Sequence, residues 1–258
     1  MATYFASDFH LGVAARLSSR EREDQIVAWL DDCWQRDAEA FYLVGDLFEF
    51  WFEWAEVVPR GYVRFFGKLA QIADAGIPIH VFTGNHDMWF ANYLQEEIGV
   101  TLHRKPIIVT LHGYRLLVGH GDGLGPGDYG YKRLKRLFQA RWAKWSYARL
   151  HPNLAMRLAF FFSGKSRSTQ PPETEFLGAD KEWLVAYSER KLAADPALDY
   201  CIFGHRHLPI DYTLSNGKSR YLNLGEWLHY QSFVRLDTTG ASLKYWKTKK
   251  NYPAVKSS

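Results

Sequence analysis

Five short polar clusters in the sequence contain side chains that proteins use to bind divalent metal ions, and four of them begin with glycine. Carboxylate oxygens suit hard cations, while the borderline ions Mn²⁺, Fe²⁺ and Zn²⁺ also accept imidazole nitrogen. The clusters are Asp8-x-His10, Gly45-Asp46, Gly84-Asn85-His86-Asp87, Gly119-His120 and Gly204-His205-Arg206-His207. Seven of their side chains suit two ions and are the predicted ligands: Asp8, His10, Asp46, Asn85, His120, His205 and His207. Two such ions would activate water for hydrolysis, and the lone Asp46 is the natural carboxylate to bridge them.

Each cluster follows a short apolar or β-branched run, which is typical of a buried strand whose carboxyl end carries the chemistry. The first three runs are Thr3–Ala6, Phe41–Val44 and Ile79–Thr83. Two helices are predicted between them. The first begins with a capping box of Ser18 and Glu21, and the second extends from about Arg60 to Gly76, just before a proline.

After residue 100 the pattern changes to that of antiparallel strands. Ile107–Leu111 and Leu116–Val118 flank a turn at residues 112–113 and predict a hairpin. Further strands are predicted at Tyr200–Phe203, Arg220–Leu224, Ser232–Leu236 and Leu243–Trp246. The chain is therefore expected to form two sheets packed face to face, with helices outside.

Residues 129–196 differ from the rest and predict a helical insertion over the site. Ten of the 32 Lys and Arg residues lie between Tyr129 and Pro172, which contains no Asp or Glu. The rest of the chain contains the other 22 Lys and Arg residues and all 28 Asp and Glu residues, so the excess positive charge is confined to this segment. An anionic partner is expected to meet it. The core is predicted at 1–128 and 197–250, with a tail at 251–258.

The length and composition of the chain indicate a globular protein. A chain of 258 residues with 47% apolar content can bury a sizeable core, and no run is long enough to span a bilayer. The N-terminus lacks the features of a signal peptide, so a cytoplasmic location is expected. Cys33 and Cys201 stand far apart, which excludes a disulfide framework and a thiolate zinc site.

The order D-x-H, GD, GNHD, GH, GHxH resembles that of the calcineurin-like metallophosphoesterases. The resemblance implies an α/β fold, a four-layer α-β-β-α metallophosphoesterase sandwich, here with a helical lid insertion. It also implies a role for His86, which would stabilise the phosphoryl group or protonate the leaving group, and for Glu49 as the carboxylate that orients it. The implied ligands are Asp8, His10, Asp46 and His207 for the first metal, and Asp46, Asn85, His120 and His205 for the second.

A closer similarity is to the UDP-2,3-diacylglucosamine diphosphatases of lipid A biosynthesis. It depends on YFASDFHLG, GDLFEFW, GHGD and the pair Asp128 and Tyr131, although the best-known members carry Arg in place of His86. The resemblance implies hydrolysis of UDP-2,3-diacylglucosamine to 2,3-diacylglucosamine 1-phosphate and UMP. Asp128 and Tyr131 would lie near the glucosamine, and the lid would take the acyl chains. Lys165 and Arg167 are phosphate contacts by position.

Aromatic side chains crowd the sequence beside Asp46, at Phe48, Phe50, Trp51, Phe52 and Trp54. They either pack under the lid as ordinary core or cover an acyl chain of the substrate. A basic helix with Trp on its other face also resembles one that lies on an anionic membrane surface, so a location peripheral to the inner membrane is expected.

Three other functions compete with this one. A protein phosphatase would need an open groove, and the predicted lid at residues 129–196 argues against one. A nuclease of the same fold would use the cations to follow a phosphate backbone, although no nucleic acid is expected as partner. A non-enzymatic membrane-binding module is disfavoured because no expected ligand is missing. Among the metals Mn²⁺ is favoured, and Fe²⁺ and Zn²⁺ also suit the ligands.

Overall fold

The computed structural model describes residues 1–13, 15–125, 129–169, 176 and 178–247, and the side chains at 129, 131, 134 and 164–169 lie outside this description. The helices are α1 (Ser19–Arg36), α2 (Val63–Asp74), α3 (Tyr93–Ile98), α4 (Tyr129–Gln139), α5 (Arg141–Ala148), α6 (Pro152–Thr169) and α7 (Trp183–Ala194). The predicted tail at 251–258 lies outside the described residues.

The first sheet has six strands in the order β11-β10-β1-β2-β3-β4. Its strands β1 to β4 pair in parallel, and β10 joins β1 antiparallel. The strands are β1 (Ala2–Ala6), β2 (Ala38–Val44), β3 (Ile79–Phe82), β4 (Thr101–His103), β10 (Ser232–Asp237) and β11 (Gly240–Tyr245).

The second sheet has five strands in the order β5-β6-β7-β9-β8. Within it β6, β7 and β9 are parallel, while β5 and β8 pair antiparallel at the two edges. The strands are β5 (Ile107–Leu111), β6 (Tyr114–Gly119), β7 (Tyr200–Phe203), β8 (Pro209–Thr213) and β9 (Arg220–Leu224).

Three apolar clusters show that the layers follow the predicted α-β-β-α order. Along β1, Tyr4 packs in the cluster shared with α1 and α2, whereas its neighbour Phe5 packs in the cluster between the sheets. This alternation is the two-residue period of a strand buried on both faces. On the far side, Leu184 and Leu192 of α7 pack with Phe203 of β7. The four-layer arrangement predicted from the sequence is confirmed.

Helix α7 lies within the segment predicted as the lid insertion, yet it packs on the second sheet as the fourth layer. Helices α4, α5 and α6, here called the cationic helices, bury far less. Among the described side chains of α5 none is buried, and α6 buries Ala155. That the cationic helices act as a lid, and that the domains divide at residues 128 and 197, stay predictions.

The start of α1 is as predicted: Ser18 Oγ accepts a hydrogen bond from Glu21 N at 3.2 Å, and Glu21 Oε2 accepts one from Ser18 N at 2.8 Å. Helix α2 begins at Val63 rather than near Arg60, because Gly61 and Tyr62 both have left-handed backbone (φ 111° and 60°). In the part of the chain that is described, no helix has the length and apolar character that crossing a bilayer requires.

Candidate metal centre

The predicted ligands gather at one edge of the sandwich because they follow parallel strands of both sheets. In the first sheet, Asp8 and His10 follow β1, Asp46 follows β2 and Asn85 follows β3. The second sheet supplies the rest: His120 follows β6, and His205 and His207 follow β7. The carboxyl ends of parallel strands meet at the same edge, where open α/β sheets bind their ligands.

A first group combines Asp8, His10, Asp46 and His207, whose ligand atoms all lie within 4.8 Å of one another. The Nε2 atoms of His10 and His207 are 3.1 Å apart. His207 Nε2 lies 3.2 Å from Asp8 Oδ1, and His10 Nε2 lies 3.7 Å from the same oxygen. These four residues are those predicted for the first metal.

A second group combines Asp46, His120 and His205 within the same limit of 4.8 Å. His120 Nε2 lies 3.3 Å from Asp46 Oδ2 and 3.3 Å from Asn85 Oδ1, so the amide predicted as a ligand also lies at this group. Because Asp46 belongs to both groups, its carboxylate lies where a ligand bridging two ions would be.

The two central carboxylates each leave one oxygen directed to the imidazoles. Asp8 Oδ2 accepts a hydrogen bond from His205 N at 3.1 Å, and Asp46 Oδ1 accepts one from His86 N at 2.8 Å. The other oxygens, Asp8 Oδ1 and Asp46 Oδ2, are buried and have no hydrogen-bond partner among the described residues. A buried carboxylate oxygen is costly unless it is paired or coordinates a cation. The site is therefore a divalent metal site.

Backbone and carboxylate acceptors turn two of the histidines toward this centre. His120 Nδ1 donates to the Val44 carbonyl at 2.8 Å, which leaves Nε2 for the metal groups. His10 Nδ1 lies 3.2 Å from Glu49 Oε2 and likewise leaves Nε2 facing His207. Metal-binding imidazoles are commonly oriented by such a partner on their second nitrogen.

The titration of these groups reflects the concentration of negative charge. Burial alone would lower the pKa of His120, but the adjacent Asp46 carboxylate raises that pKa to about 10. Burial lowers the pKa of His205 to about 4, and the positive charge of His120 acts in the same direction. The field that holds a proton on His120 is the same field that attracts a divalent cation.

Five of the seven predicted ligands have left-handed backbone, at Asp8 (φ 55°), His10 (φ 45°), Asp46 (φ 52°), His205 (φ 69°) and His207 (φ 53°). A non-glycine residue with positive φ is uncommon, and such conformations concentrate at functional sites. The structure therefore places strain in the loops that aim the ligands.

The glycines of the clusters serve two different purposes. Gly45 has left-handed backbone (φ 83°), a conformation that glycine adopts without strain and that turns the chain before Asp46. At Gly84 the reason is space, because a Cβ there would collide with the Asp46 carboxylate and lie 2.5 Å from the Asp46 backbone nitrogen. The absence of a side chain at Gly84 thus allows the loop of the third cluster to approach Asp46.

Asp87 holds the two central loops together. Its carboxylate accepts hydrogen bonds from Gly84 N at 2.7 Å, Leu47 N at 2.7 Å and Asp46 N at 3.3 Å. Burial and the neighbouring Asp46 raise the pKa of Asp87 to about 7. The residue fixes Asp46 relative to the GNHD loop.

Two braces were not predicted from the sequence. Arg22 of α1 is fully buried and donates to the carbonyls of Phe9 at 2.9 Å, His10 at 2.7 Å and Val13 at 2.6 Å. Its signal was a cation four residues before Ile26, on the apolar face of the helix. Arg206 Nε donates to Glu182 Oε2 at 2.7 Å and so ties the last cluster to the start of α7.

His86 and Glu49 lie together, although their closest contact is not the predicted one. His86 Nδ1 is 3.0 Å from the Glu49 carbonyl oxygen and 3.8 Å from its carboxylate, which lies closer to His10. Burial lowers the pKa of His86, and the charges of Asp46 and Glu49 oppose that effect. Ser163 of α6, which no sequence pattern predicted as part of the site, hydrogen-bonds Glu49 Oε1.

The aromatic residues beside Asp46 pack in two places, and their contact with an acyl chain stays a prediction. Phe48 and Trp51 are fully buried and pack on each other with ring centroids 4.7 Å apart, as ordinary core. Phe52 and Trp54 instead meet Tyr147 of α5, at 4.8 and 6.3 Å between centroids. Phe50 does so at 5.8 Å.

The predicted substrate contacts stay predictions. Asp128 lies outside the described residues. Tyr131 belongs to α4, and Lys165 and Arg167 belong to α6, but their side chains lie outside the described part of the structure.

Comparison with known proteins agrees with this geometry. The family model for calcineurin-like phosphoesterases matches residues 1–209. A Porphyromonas gingivalis protein named UDP-2,3-diacylglucosamine hydrolase is 38% identical over 252 residues, covering 92% of this chain and 94% of its own. A protein of the same name from Aeromonas salmonicida is 29% identical over 239 residues, covering 91% and 89%. The structure of the E. coli phosphoesterase Yfce aligns with a TM-score of 0.44 and 16% identity, covering 92% and 88%.

Proposed function

The chain belongs to the calcineurin-like phosphoesterase family and is a metal-dependent phosphoester hydrolase, and we propose that its substrate is UDP-2,3-diacylglucosamine. The products are 2,3-diacylglucosamine 1-phosphate and UMP. The observation that carries the proposal is the shared Asp46, which belongs to both ligand groups and keeps a buried oxygen without a hydrogen-bond partner among the described residues. The identity of the proposed substrate is inferred from the names of the two relatives described above.

Two ions are proposed to occupy the centre, with Mn²⁺ favoured over Fe²⁺ and Zn²⁺. Oxygen and imidazole ligands together suit all three metals, and the ligand assignment follows the two groups described above. Asn85 completes the second group through its amide oxygen, 3.3 Å from His120 Nε2. When bound, such ions activate water and neutralise charge on a phosphoryl group.

His86 is proposed to act on the substrate rather than on the metals. A carbonyl oxygen can only accept, so its Nδ1 donates to Glu49 O at 3.0 Å and its Nε2 is left for a phosphoryl or leaving-group oxygen. The ring is partly exposed, as a residue that meets substrate requires. Burial lowers the pKa of His86 in the absence of substrate. The negative charge of a bound phosphoryl group would raise that pKa and so favour the protonated ring, which is the form that can donate a proton.

The acyl chains are proposed to meet the cationic helices and the aromatic side chains of the loop after Asp46. Phe50, Phe52 and Trp54 contact Tyr147 of α5, which joins this loop to the helices. Large apolar side chains of the cationic helices are exposed, and they include Trp142, Trp145, Leu154, Phe161 and Phe162. Exposed apolar side chains on basic helices fit an acyl chain and the surface of an anionic membrane. We place the protein in the cytoplasm, peripheral to the inner membrane.

The test is the dependence of kcat/KM on acyl length, measured with UDP-2,3-diacylglucosamine of increasing chain length and with unacylated UDP-N-acetylglucosamine. Each methylene buried contributes ~0.8 kcal/mol, so kcat/KM should rise by up to about fourfold per buried methylene. The Phe161→Ser variant should flatten this rise, while Val63→Ser, an equally exposed apolar change on α2, should leave it intact.

Equal cleavage of acylated and unacylated substrates would overturn the proposed substrate. Degradation of DNA or RNA with a steep salt dependence would instead identify a nuclease. Binding to anionic vesicles without any hydrolysis would indicate a membrane-binding module.

A further inference from the structure

A cavity of about 340 Å³ opens beside the metal centre, between the end of β4, the loop after β6 and helix α4. His120 forms part of its wall, so the cavity adjoins the second metal group directly. Its volume lies within the range of small-ligand sites in proteins. We refer to it as the β4–α4 cavity.

Positive charge dominates the lining of the β4–α4 cavity. Arg104 and Lys105 come from the segment after β4, and Lys132, Lys135 and Arg136 come from α4. A single carboxylate among the described lining residues, Asp122, opposes these five cations. Like charges so concentrated repel one another, and an anion bound among them would relieve that repulsion.

Three of the five cations have partners that hold the cavity together. Lys135 Nζ pairs with Asp122, and Lys132 Nζ donates to the Gly125 carbonyl at 2.6 Å. Arg104 donates to the carbonyls of Phe90 at 3.2 Å and Ala91 at 2.6 Å. These contacts join α4 and the end of β4 to the core, so they build the walls.

Lys105 and Arg136 differ from these three, because neither has a hydrogen-bond or ion-pair partner in the part of the chain that the structure describes. They belong to different elements of the lining, Lys105 to the segment after β4 and Arg136 to α4. Charged donors available on two walls of one cavity are suited to a phosphate group.

The cavity also offers an uncharged aromatic wall. His103 stacks on Phe82 with centroids 4.7 Å apart, and its Nε2 lies 3.0 Å from His80 Nδ1. Burial lowers the pKa of His103, which favours the neutral form of the ring. Pro106 and Leu124 add apolar surface. A planar base can pack against such a wall without bringing a countercharge.

We infer that the β4–α4 cavity binds the nucleoside-monophosphate half of the substrate, with the phosphate between Lys105 and Arg136 and the base against His103. The inference rests on the proposed function and adds a nucleotide site to it. A diphosphate with one phosphorus at the metal groups can direct its nucleoside past His120 into this cavity. The acyl chains are then directed toward Phe50 and Tyr147, as proposed above.

The experiment measures how UMP inhibits hydrolysis of bis(4-nitrophenyl) phosphate by the metal-loaded protein. This reporter has no nucleotide, so the assay does not require that UDP-2,3-diacylglucosamine is the substrate. The double variant Lys105→Gln with Arg136→Gln should raise the Ki of UMP about 10- to 100-fold, the effect of removing charged hydrogen bonds. Arg133→Gln, an exposed cation of α4 outside the cavity lining, should leave the Ki unchanged.

Two further probes separate the phosphate from the base. The His103→Ala variant should raise the Ki of UMP, but not the Ki of inorganic phosphate. Equal inhibition of the wild type by inorganic phosphate and UMP would overturn the base contact. An unchanged Ki of UMP in the double variant, with metal content and unfolding midpoint equal to wild type, would overturn the cavity as a nucleotide site.

The outcomes distinguish this inference from the proposed function. If the wild type cleaves UDP-2,3-diacylglucosamine but the double variant keeps the same Ki for UMP, the inference fails alone. If the wild type does not cleave that substrate but the double variant weakens UMP, the proposed substrate fails and the nucleotide site stands.

Discussion

The metal centre and the cationic helices both depart from the usual distribution of residues, in which charged side chains are exposed and large apolar side chains are buried. At the centre, charged side chains are buried: Asp8 and His10 are 0% exposed and Asp46 is 1% exposed. On the cationic helices, Trp142 and Phe161 are 63% and 65% exposed. Folding alone explains neither, because buried charges and exposed large aromatics both raise the free energy of the native state.

The difference shows what each region requires from outside the chain. The buried carboxylates need a cation, and the structure holds them in place with hydrogen bonds from backbone groups such as His86 N and His205 N. The exposed aromatics need an apolar partner, which the proposed acyl chains supply. The core therefore holds its carboxylates in place before any substrate binds, whereas the exposed aromatic side chains of the cationic helices would be covered only when the proposed substrate binds.

The largest loss of activity is expected on substitution of Asp46, because this residue belongs to both ligand groups of the metal centre. Asp46→Asn keeps the volume of the side chain but weakens its oxygen ligation of both groups. We expect hydrolysis to fall to background and bound metal to drop by elemental analysis. Chelation of the wild type should have the same effect, reversed by Mn²⁺. Full activity in a chelated sample free of metal would contradict the metal centre.

A second effect separates ligation from catalysis inside the core. His86→Ala should lower kcat by about 10²- to 10⁴-fold, the usual contribution of a positioned general acid, while the metal content stays at the wild-type level. Asp87→Asn serves as the comparison, because it disturbs the loop hydrogen bonds and should reduce metal content as well as kcat. A parallel loss of metal in His86→Ala would make His86 a ligand.

The two regions should also differ in stability. Trp29→Ala removes a fully buried ring that packs on Phe9 and Phe41, and should lower the free energy of unfolding by about 3–5 kcal/mol. Trp142→Ala should change it by less than about 0.5 kcal/mol, because the ring is exposed. Urea denaturation measures both. A large loss in Trp142→Ala would show that the cationic helices have a core of their own.

The smallest effect concerns pH and His80, which lies between the sheets against Tyr42. Burial, together with His103, lowers the pKa of His80 from 6.5 to about 4. Below pH 6.5 the unfolded chain binds a proton that the folded chain does not, so stability declines as pH falls from 6.5 to 4. The slope of the unfolding free energy against pH gives the difference in bound protons between the unfolded and the folded chain. In His80→Gln this difference should decrease by up to about one proton, as measured by urea denaturation across that pH range.

His151, an exposed histidine before α6, provides the matched control for this pH dependence. His151→Gln should leave the pH dependence of unfolding unchanged. A shift equal to that of His80→Gln would show that burial between the sheets is not the cause.

Much of the fold could be predicted because its strands carry two signals at once. Thr3–Ala6 and Phe41–Val44 are apolar runs, and each ends in a polar cluster, so the strand and its functional end were found together. The second sheet was predicted from the further strands after residue 100, but the antiparallel pattern expected there was wrong for β6, β7 and β9, which pair in parallel. It was right for the edge strand β5 and for β10 and β11, which join the first sheet instead. Elements of three to six residues, namely α3, β4 and β8, were missed because so few positions show no reliable period.

The parts of the site that were missed depend on contacts between distant segments. Ser163 meets Glu49 from a helix 114 residues away, and no local pattern indicates that pairing. The β4–α4 cavity likewise joins Lys105 to Arg136 through the tertiary fold. The predicted ligands, by contrast, could be recognised because each one follows a strand end, and parallel strands bring such ends to one edge.

The left-handed backbone at five ligand positions also has an evolutionary consequence. Glycine at His207, for example, would relax a strained backbone conformation, which typically costs on the order of 1 kcal/mol or more, and would remove only a partly exposed ring. Drift without selection for turnover would therefore favour sequences that keep the sandwich and abandon its chemistry. Inactive descendants of this chain should be recognisable by glycine or asparagine where the ligands now stand, and by higher thermal stability than their active ancestor.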